Sequence, residues 1–265
     1  MSGTLSTPAG RMTTPAGRMT ALARAELTLL GRSRSTVVTA LFVPLVLPFT
    51  VRSAVEQMDL KGTGLTVGLI LLPGAIGFSL LFAVYSTLVG VFVARREQLV
   101  LKRLRTGELR DSEILAGAAV PPALTGLAQS LLLAAGCTAL LHVPAPRAPQ
   151  LAVLGLLLGL ALSVILAAVT AGFTRTAESA QVTSIPLVLV TMMGSGLAVP
   201  LQMLPDRLAA ACALLPLTPA MTLVRDGWTG GAGAGEVLRA VAAALAWLVL
   251  GVFAVRRWFG WEPRR

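Results

Sequence analysis

Charged residues along this chain are separated by long runs that carry none. Between Arg34 and Arg52 there are 17 uncharged residues, between Lys61 and Arg95 33, and between Glu113 and Arg147 33. The runs from Arg147 to Arg175 and from Glu178 to Asp206 hold 27 each, and that from Arg239 to Arg256 holds 16. A helix needs about 20 mostly apolar residues to cross a bilayer, with a working range of roughly 17–25. The spacing therefore predicts six spans, near 36–54, 65–93, 115–141, 151–173, 180–202 and 237–256. The two shortest gain length if arginines at their ends snorkel to the interface. Pro44, Pro48, Pro73 and Pro186 fall inside the predicted spans, where neighbouring helices can satisfy the carbonyls a proline frees.

One further run is uncharged, the 17 residues of Leu208–Val224. Pro216 and Pro219 interrupt it, and a seventh span would place the basic tail opposite the basic N-terminus. We read it as a re-entrant or interfacial helical pair between spans five and six. Upstream, Ala21–Ser35 mixes Leu22, Leu27, Leu29 and Leu30 with Arg24, Glu26, Arg32 and Arg34, which fits a helix lying in the interface or a solvated lead-in. Before it, Thr7–Thr13 is repeated at Thr14–Thr20, a tract without hydrophobic period. The organisation expected is a disordered arm over 1–20, one all-α membrane domain over 21–256 and a tail over 257–265.

Composition narrows the class. Hydrophobic residues make up 55% of the 265 and charged ones 13%, with a mean hydropathy of +0.80. Soluble domains carry roughly 25% charged residues, so a soluble enzyme is excluded. The net charge of +10 is read as membrane topology, not nucleic-acid binding. With the N-terminus inside, 16 basic residues fall on the cytoplasmic side and 6 on the other, as the positive-inside rule requires. Both termini are expected in the cytoplasm. Of the 22 basic residues only Lys61 and Lys102 are lysines, and the Arg, Ala, Gly and Leu richness suggests a bacterial chain from a GC-rich genome. No ordered signal-peptide pattern precedes the spans.

Catalytic patterns are missing from the sequence. Neither lysine is followed by Ser or Thr, so there is no phosphate-binding loop, and there is no His-Glu-x-x-His. His142 is single. Cys137 and Cys212 are two, and their pairing is not readable from sequence. No metal site and no bound cofactor are expected. No ionisable residue falls at a predicted span centre, where proton-coupled carriers place theirs, so any work of transport must draw on energy from elsewhere.

The densest segment is Ala94–Glu113, between spans two and three. Leu101, Leu104 and Leu109 form a partial apolar stripe among basic and acidic neighbours. It is a solvated turn or a docking helix for a cytosolic partner, with leucine knobs and orienting arginines. Arg96, Glu97, Leu101, Lys102, Arg103, Leu104 and Arg105 are the candidate docking residues. In span five, Met192 and Met193 with Gly194-Ser195-Gly196 make either plain core or an adaptable wall on a substrate path, since Met repacks readily. Gly155 and Gly159 permit close helix approach, within the chain or to a second subunit. Gln129, Ser130, Gln181, Thr183 and Ser184 are candidates for bonds across helices, and Arg175 with Glu178 for a local ion pair.

Arg96-Glu97, then Leu101-Lys102-Arg103-Leu104-Arg105-Thr106 and Leu109, resembles the loop after the second span of ABC-2 type transporter permeases. That family's pattern runs roughly Arg-Glu-x-Gly-Thr-Leu-x-x-Leu-x-x-x-Pro-Leu. Here Leu99 and Val100 replace Gly-Thr, and Glu108 replaces Pro. Arg24-Ala-Glu26 with Arg32 and Pro44, and Pro200, Met203-Leu204-Pro205, Leu215–Pro219 and Arg225-Asp226-Gly227, are similar to the family's entry helix and its outer region. The resemblance covers nearly everything after residue 20. It implies a bacterial plasma-membrane permease without an ATPase of its own, paired as a homodimer or with a homologous permease. ABC ATPase subunits carrying ATP and Mg would dock on the loop that includes Glu97. The cargo implied is a hydrophobic or amphipathic compound, such as a drug, an antibiotic or a lipid-like molecule, moved outward. A scaffold or sensor/immunity subunit that recruits a cytosolic partner and transports nothing is the alternative.

Overall fold

The computed structural model describes residues 66–105, 110–197, 201 and 204–262. The arm over 1–20, the segment 21–35, the span over 36–54, and Leu109, Pro200 and Met203 lie outside the described residues. Within them the fold is all-helical.

Helix α1 runs Val67–Glu97. Thr66 opens it with its hydroxyl accepting from the Leu69 amide at 3.4 Å. Its middle turns, Leu80–Ser86, are π-helical. The helix is apolar all round, and 78% of its most apolar stretch is buried. A helix apolar on every side belongs inside a bundle, and α1 touches nearly every other long helix. After the short α2, Val100–Arg105, come α3 (Asp111–Leu141), α4 (Pro149–Phe173) and α5 (Ala177–Gly194). His142, in the left-handed conformation at φ 52°, ends α3. Then follow α6 (Asp206–Ala213), α7 (Thr218–Thr229) and α8 (Ala234–Trp258).

Among the described residues, four helices are long and apolar enough to cross a membrane: α1, α3, α4 and α8. The pair α6–α7, bent by 106°, makes a fifth if its two limbs count as one span. The bend falls where the sequence expects a break, around Pro216 and Pro219. Helix α5, expected as a span over 180–202, has 18 residues, about 27 Å at 1.5 Å per residue. Glu178, Ser179, Gln181, Thr183 and Ser184 make its first turns polar.

The two limbs of the pair differ. Helix α6 buries no residue, whereas α7 buries nine of twelve. The buried limb lies on α4 with the backbones almost touching. A Cβ on Gly155 would stand 2.7 Å from both the Ala220 carbonyl oxygen and the Val224 nitrogen, and one on Gly227 2.5 Å from the Ala152 nitrogen. Gly155 and Gly159 therefore serve packing within the chain. The Ala148 amide also bonds to the Gly227 carbonyl at 2.9 Å, and the Trp247 indole N–H of α8 reaches the Leu214 carbonyl at the elbow, 3.0 Å away.

Outward faces are apolar. Leu131, Leu140, Val182, Leu189, Val249 and Phe253 are all exposed. Apolar faces of this extent mark contact with lipid or protein in place of water.

Candidate functional site

Five helix ends and the C-terminal segment gather at one end of the bundle. Arg96, in the last turn of α1, points inward and is 1% exposed. Its guanidinium donates to the carbonyls of Ala171 (2.9 Å), Thr174 and Arg175 (3.4 Å) at the end of α4. A helix leaves its last carbonyls without intrahelical partners and carries partial negative charge there, so the arginine meets both needs. The adjacent Glu97 does the reverse. Its carboxylate accepts from the Ala177 amide at 3.2 Å, at the electropositive start of α5. Two consecutive residues of α1 thus staple the turn between α4 and α5. Arg175 and Glu178 form no ion pair with each other among the described residues.

Beyond Glu97 the chain turns through Leu99, which holds φ 57°. Helices commonly close with a left-handed residue, usually glycine. Leu99 occupies the position where the pattern quoted above has Gly. Helix α2 follows. Leu101 is fully buried in the bundle core and Leu104 packs against it, while Lys102, Arg103 and Arg105 face outward. Lys102 pairs with Glu262 at 2.8 Å, which holds that carboxyl below its ordinary range. Arg105 pairs with Asp111 at 3.1 Å and covers the Trp261 ring at 5.1 Å. Trp261 meets Phe259 edge-on, and Phe259 meets Phe92 of α1 in the same way.

Of the candidate docking residues, Arg96 and Leu101 are interior. Arg96 follows Phe92 by four residues and so shares its inward face. The leucines of α2 anchor it to its own bundle, leaving Glu97, Lys102, Arg103 and Arg105 exposed.

The candidates on a substrate path do not share one surface. Met193 is 75% exposed and Met192 packs on the core, while Ser195 is buried and bonded to Thr218 at 2.9 Å. Of the proposed bonds between helices, Gln129 makes one, accepting from Ser79 at 2.8 Å. Ser130, Thr183 and Ser184 bond back to their own helix. Both cysteines are free thiols, and no group of three or more metal-ligating side chains occurs among the described residues.

Arg225, which the sequence marks only as part of the Arg225-Asp226-Gly227 resemblance, is an interior group. It is 3% exposed and donates to the Gly196 carbonyl at 2.6 Å, just past the end of α5, where Gly196 takes φ 71°. Arg147 likewise reaches the Thr229 carbonyl ending α7, at 3.3 Å. Three helix C-termini are thus each met by an arginine from elsewhere in the chain.

No curated protein matches the chain. The family model described as ABC-2 type transporter matches residues 18–228, from ahead of the described helices to the last turn of α7. With most of its length inside that match, the chain belongs to the ABC-2 type transporter family as a membrane domain.

Proposed function

We propose that this chain is the permease subunit of an ATP-driven exporter. ABC-2 permeases are multi-pass membrane proteins that lack the ATPase and bind no cofactor themselves; an ABC ATPase partner binds the nucleotide and hydrolyses it. In our reading that partner, with ATP and Mg, docks on the exposed side of α2 through Glu97, Lys102, Arg103 and Arg105. Arg96, Leu101 and Leu104 hold the docking helix in place from behind. The observation that carries this reading is the Arg96–Glu97 staple. It ties the base of α2 to the ends of both α4 and α5, so a push on α2 reaches two further helices.

The topology proposed is six spans with both termini in the cytoplasm of a bacterial cell, the arm over 1–20 and the tail over 257–265 included. Span one would cover 36–54, and α1, α3, α4, α5 and α8 would be the other five. Support comes from the helix ends. Helix α5 begins at the end that holds Glu97, and α8 finishes there too, beside Lys102 and Arg105. The bent pair between them must therefore return to the side it entered, as a re-entrant segment does. The shared end is rich in arginine, which favours the cytoplasmic side.

Two permeases, identical or homologous, would frame the path, with Met193 exposed toward it, Met192 behind and Ser195 supporting the wall. The cargo class proposed is a hydrophobic or amphipathic compound, such as a drug, an antibiotic or a lipid-like molecule. The test is ATP turnover by the partner ATPase reconstituted with this chain in liposomes. Glu97→Ala, and Lys102→Glu combined with Arg103→Glu, should each abolish permease-stimulated turnover while leaving membrane insertion intact. Unchanged turnover in both would defeat the docking assignment and favour a scaffold that transports nothing.

A further inference from the structure

A cavity of about 510 Å³ opens at the arginine-rich end, between the start of α3, the flank of α4 and the end of α8. Its rim is charged. Arg110, Asp111 and Arg256 line it, and Asp111 is already matched by Arg105 at 3.1 Å. Neither Arg110 nor Arg256 has an ion-pair partner among the described residues, which leaves two positive charges facing the opening. The first turn of the 31-residue α3 also lines it, with Ser112 as a hydroxyl donor, while the Glu113 carboxylate of that turn is already engaged, accepting from the Arg110 amide at 2.8 Å.

Deeper in, the walls are apolar. Leu115 and Ala116 come from α3, Val164, Ile165 and Ala168 from α4, and Val252 and Val255 from α8. Helix α8 is the least enclosed of the long helices, with 11% of its most apolar stretch buried. Val252 lines the cavity and is 42% exposed, on the helix with the least enclosed apolar stretch, as sideways access from a bilayer would require. An apolar depth beneath a doubly basic rim matches an acyl chain lying below a phosphate. The volume lies within the range of about 300–1,000 Å³ usual for small-molecule sites.

We propose that this cavity holds an anionic glycerophospholipid of the adjacent leaflet, its phosphate between Arg110 and Arg256 and the upper part of one acyl chain against Ile165, Ala168 and Val252. A zwitterionic choline lipid is disfavoured, because it would bring a quaternary ammonium beside two arginines. The inference goes beyond the exporter reading and requires only that the chain be in a membrane.

The test is native mass spectrometry of the full chain, released from nanodiscs containing equal amounts of phosphatidylglycerol and phosphatidylcholine, with no ATPase present. Wild type should retain one phosphatidylglycerol per chain in preference to phosphatidylcholine by at least about tenfold, given two arginines at the headgroup. The double variant Arg110→Gln/Arg256→Gln should lose the preference. Ala116→Trp fills the apolar part with both arginines intact and should lose the retained lipid, so a folding defect in one variant leaves the other decisive. Equal retention of both lipids by wild type would overturn the proposal, as would an undiminished preference in the variants. Without an ATPase in the assay, this result and the turnover result stand or fall separately.

Discussion

An arginine at the end of an apolar helix ordinarily reaches for water. Arg96 turns inward instead, where the end of α4 presents the carbonyls of Ala171, Thr174 and Arg175 to its guanidinium. Removing the guanidinium would strand the buried carbonyls of Ala171 and Thr174, and an unsatisfied buried polar group costs about 1–3 kcal/mol. Arg96→Gln should therefore destabilise the chain by roughly 2–4 kcal/mol, read as a lowered thermal midpoint in detergent. A stability equal to wild type would show the carbonyls to be satisfied otherwise. Leu99 offers a change of opposite sign. Its left-handed backbone strains any side chain with a Cβ, and it is 39% exposed, so little packing is lost on truncation. Leu99→Gly should be neutral or stabilising by up to about 1 kcal/mol, and Leu99→Val destabilising by a similar amount; urea or thermal unfolding of the pair distinguishes them. The sequence shows Leu where the related pattern has Gly, but not the backbone angle that gives the difference its meaning.

At the scale of elements, α4 and α7 meet through two glycines more than 70 residues apart. Gly155→Leu should drive the helices apart at a cost of at least about 1–3 kcal/mol, because the obstacles are the backbone atoms of Ala220 and Val224. Gly136, also inside a helix, has nothing within 4 Å of its missing Cβ. Gly136→Ala should be neutral or stabilising by about 0.5–1 kcal/mol, and comparing the two unfolding midpoints checks the contrast. The small-residue spacing at Gly155 and Gly159 was legible in the sequence. Its partner surface on α7 was not, since a pairing across the fold leaves no local periodicity. The uncharged runs and the prolines of 206–229 announced long helices and a bent pair. The π-helical turns of α1 had no sequence signal. The stripe of α2 is legible in the sequence as amphipathic, but the surface it packs on is not, because a leucine stripe fits its own bundle as well as a partner's groove. Burial of Arg96 could have been found from its register with Phe92 and Val93, which share its inward face.

For the whole molecule, the architecture sorts by charge and burial. Helix α1 is the hub, α8 the most lipid-like surface, and the arginine-rich ends of α1, α3, α4, α5 and α8 form a platform on which α2 is fastened. Fastening occurs on both sides, inward through Leu101 and outward through the Lys102–Glu262 and Arg105–Trp261 contacts. Such a platform is suited to receiving force from a separate chain, and ABC-2 permeases work with an ABC ATPase. The central claim is that α2 is where that ATPase engages. Its most direct test is affinity purification of the tagged, detergent-solubilised full chain from its native cells, alongside the Lys102→Glu/Arg103→Glu variant, with the bound proteins identified and quantified by mass spectrometry. The account predicts a stoichiometric ABC ATPase with wild type and its loss from a folded variant. An intact, folded wild-type chain that brings down no ABC ATPase, or a variant that retains it in full, would contradict the account.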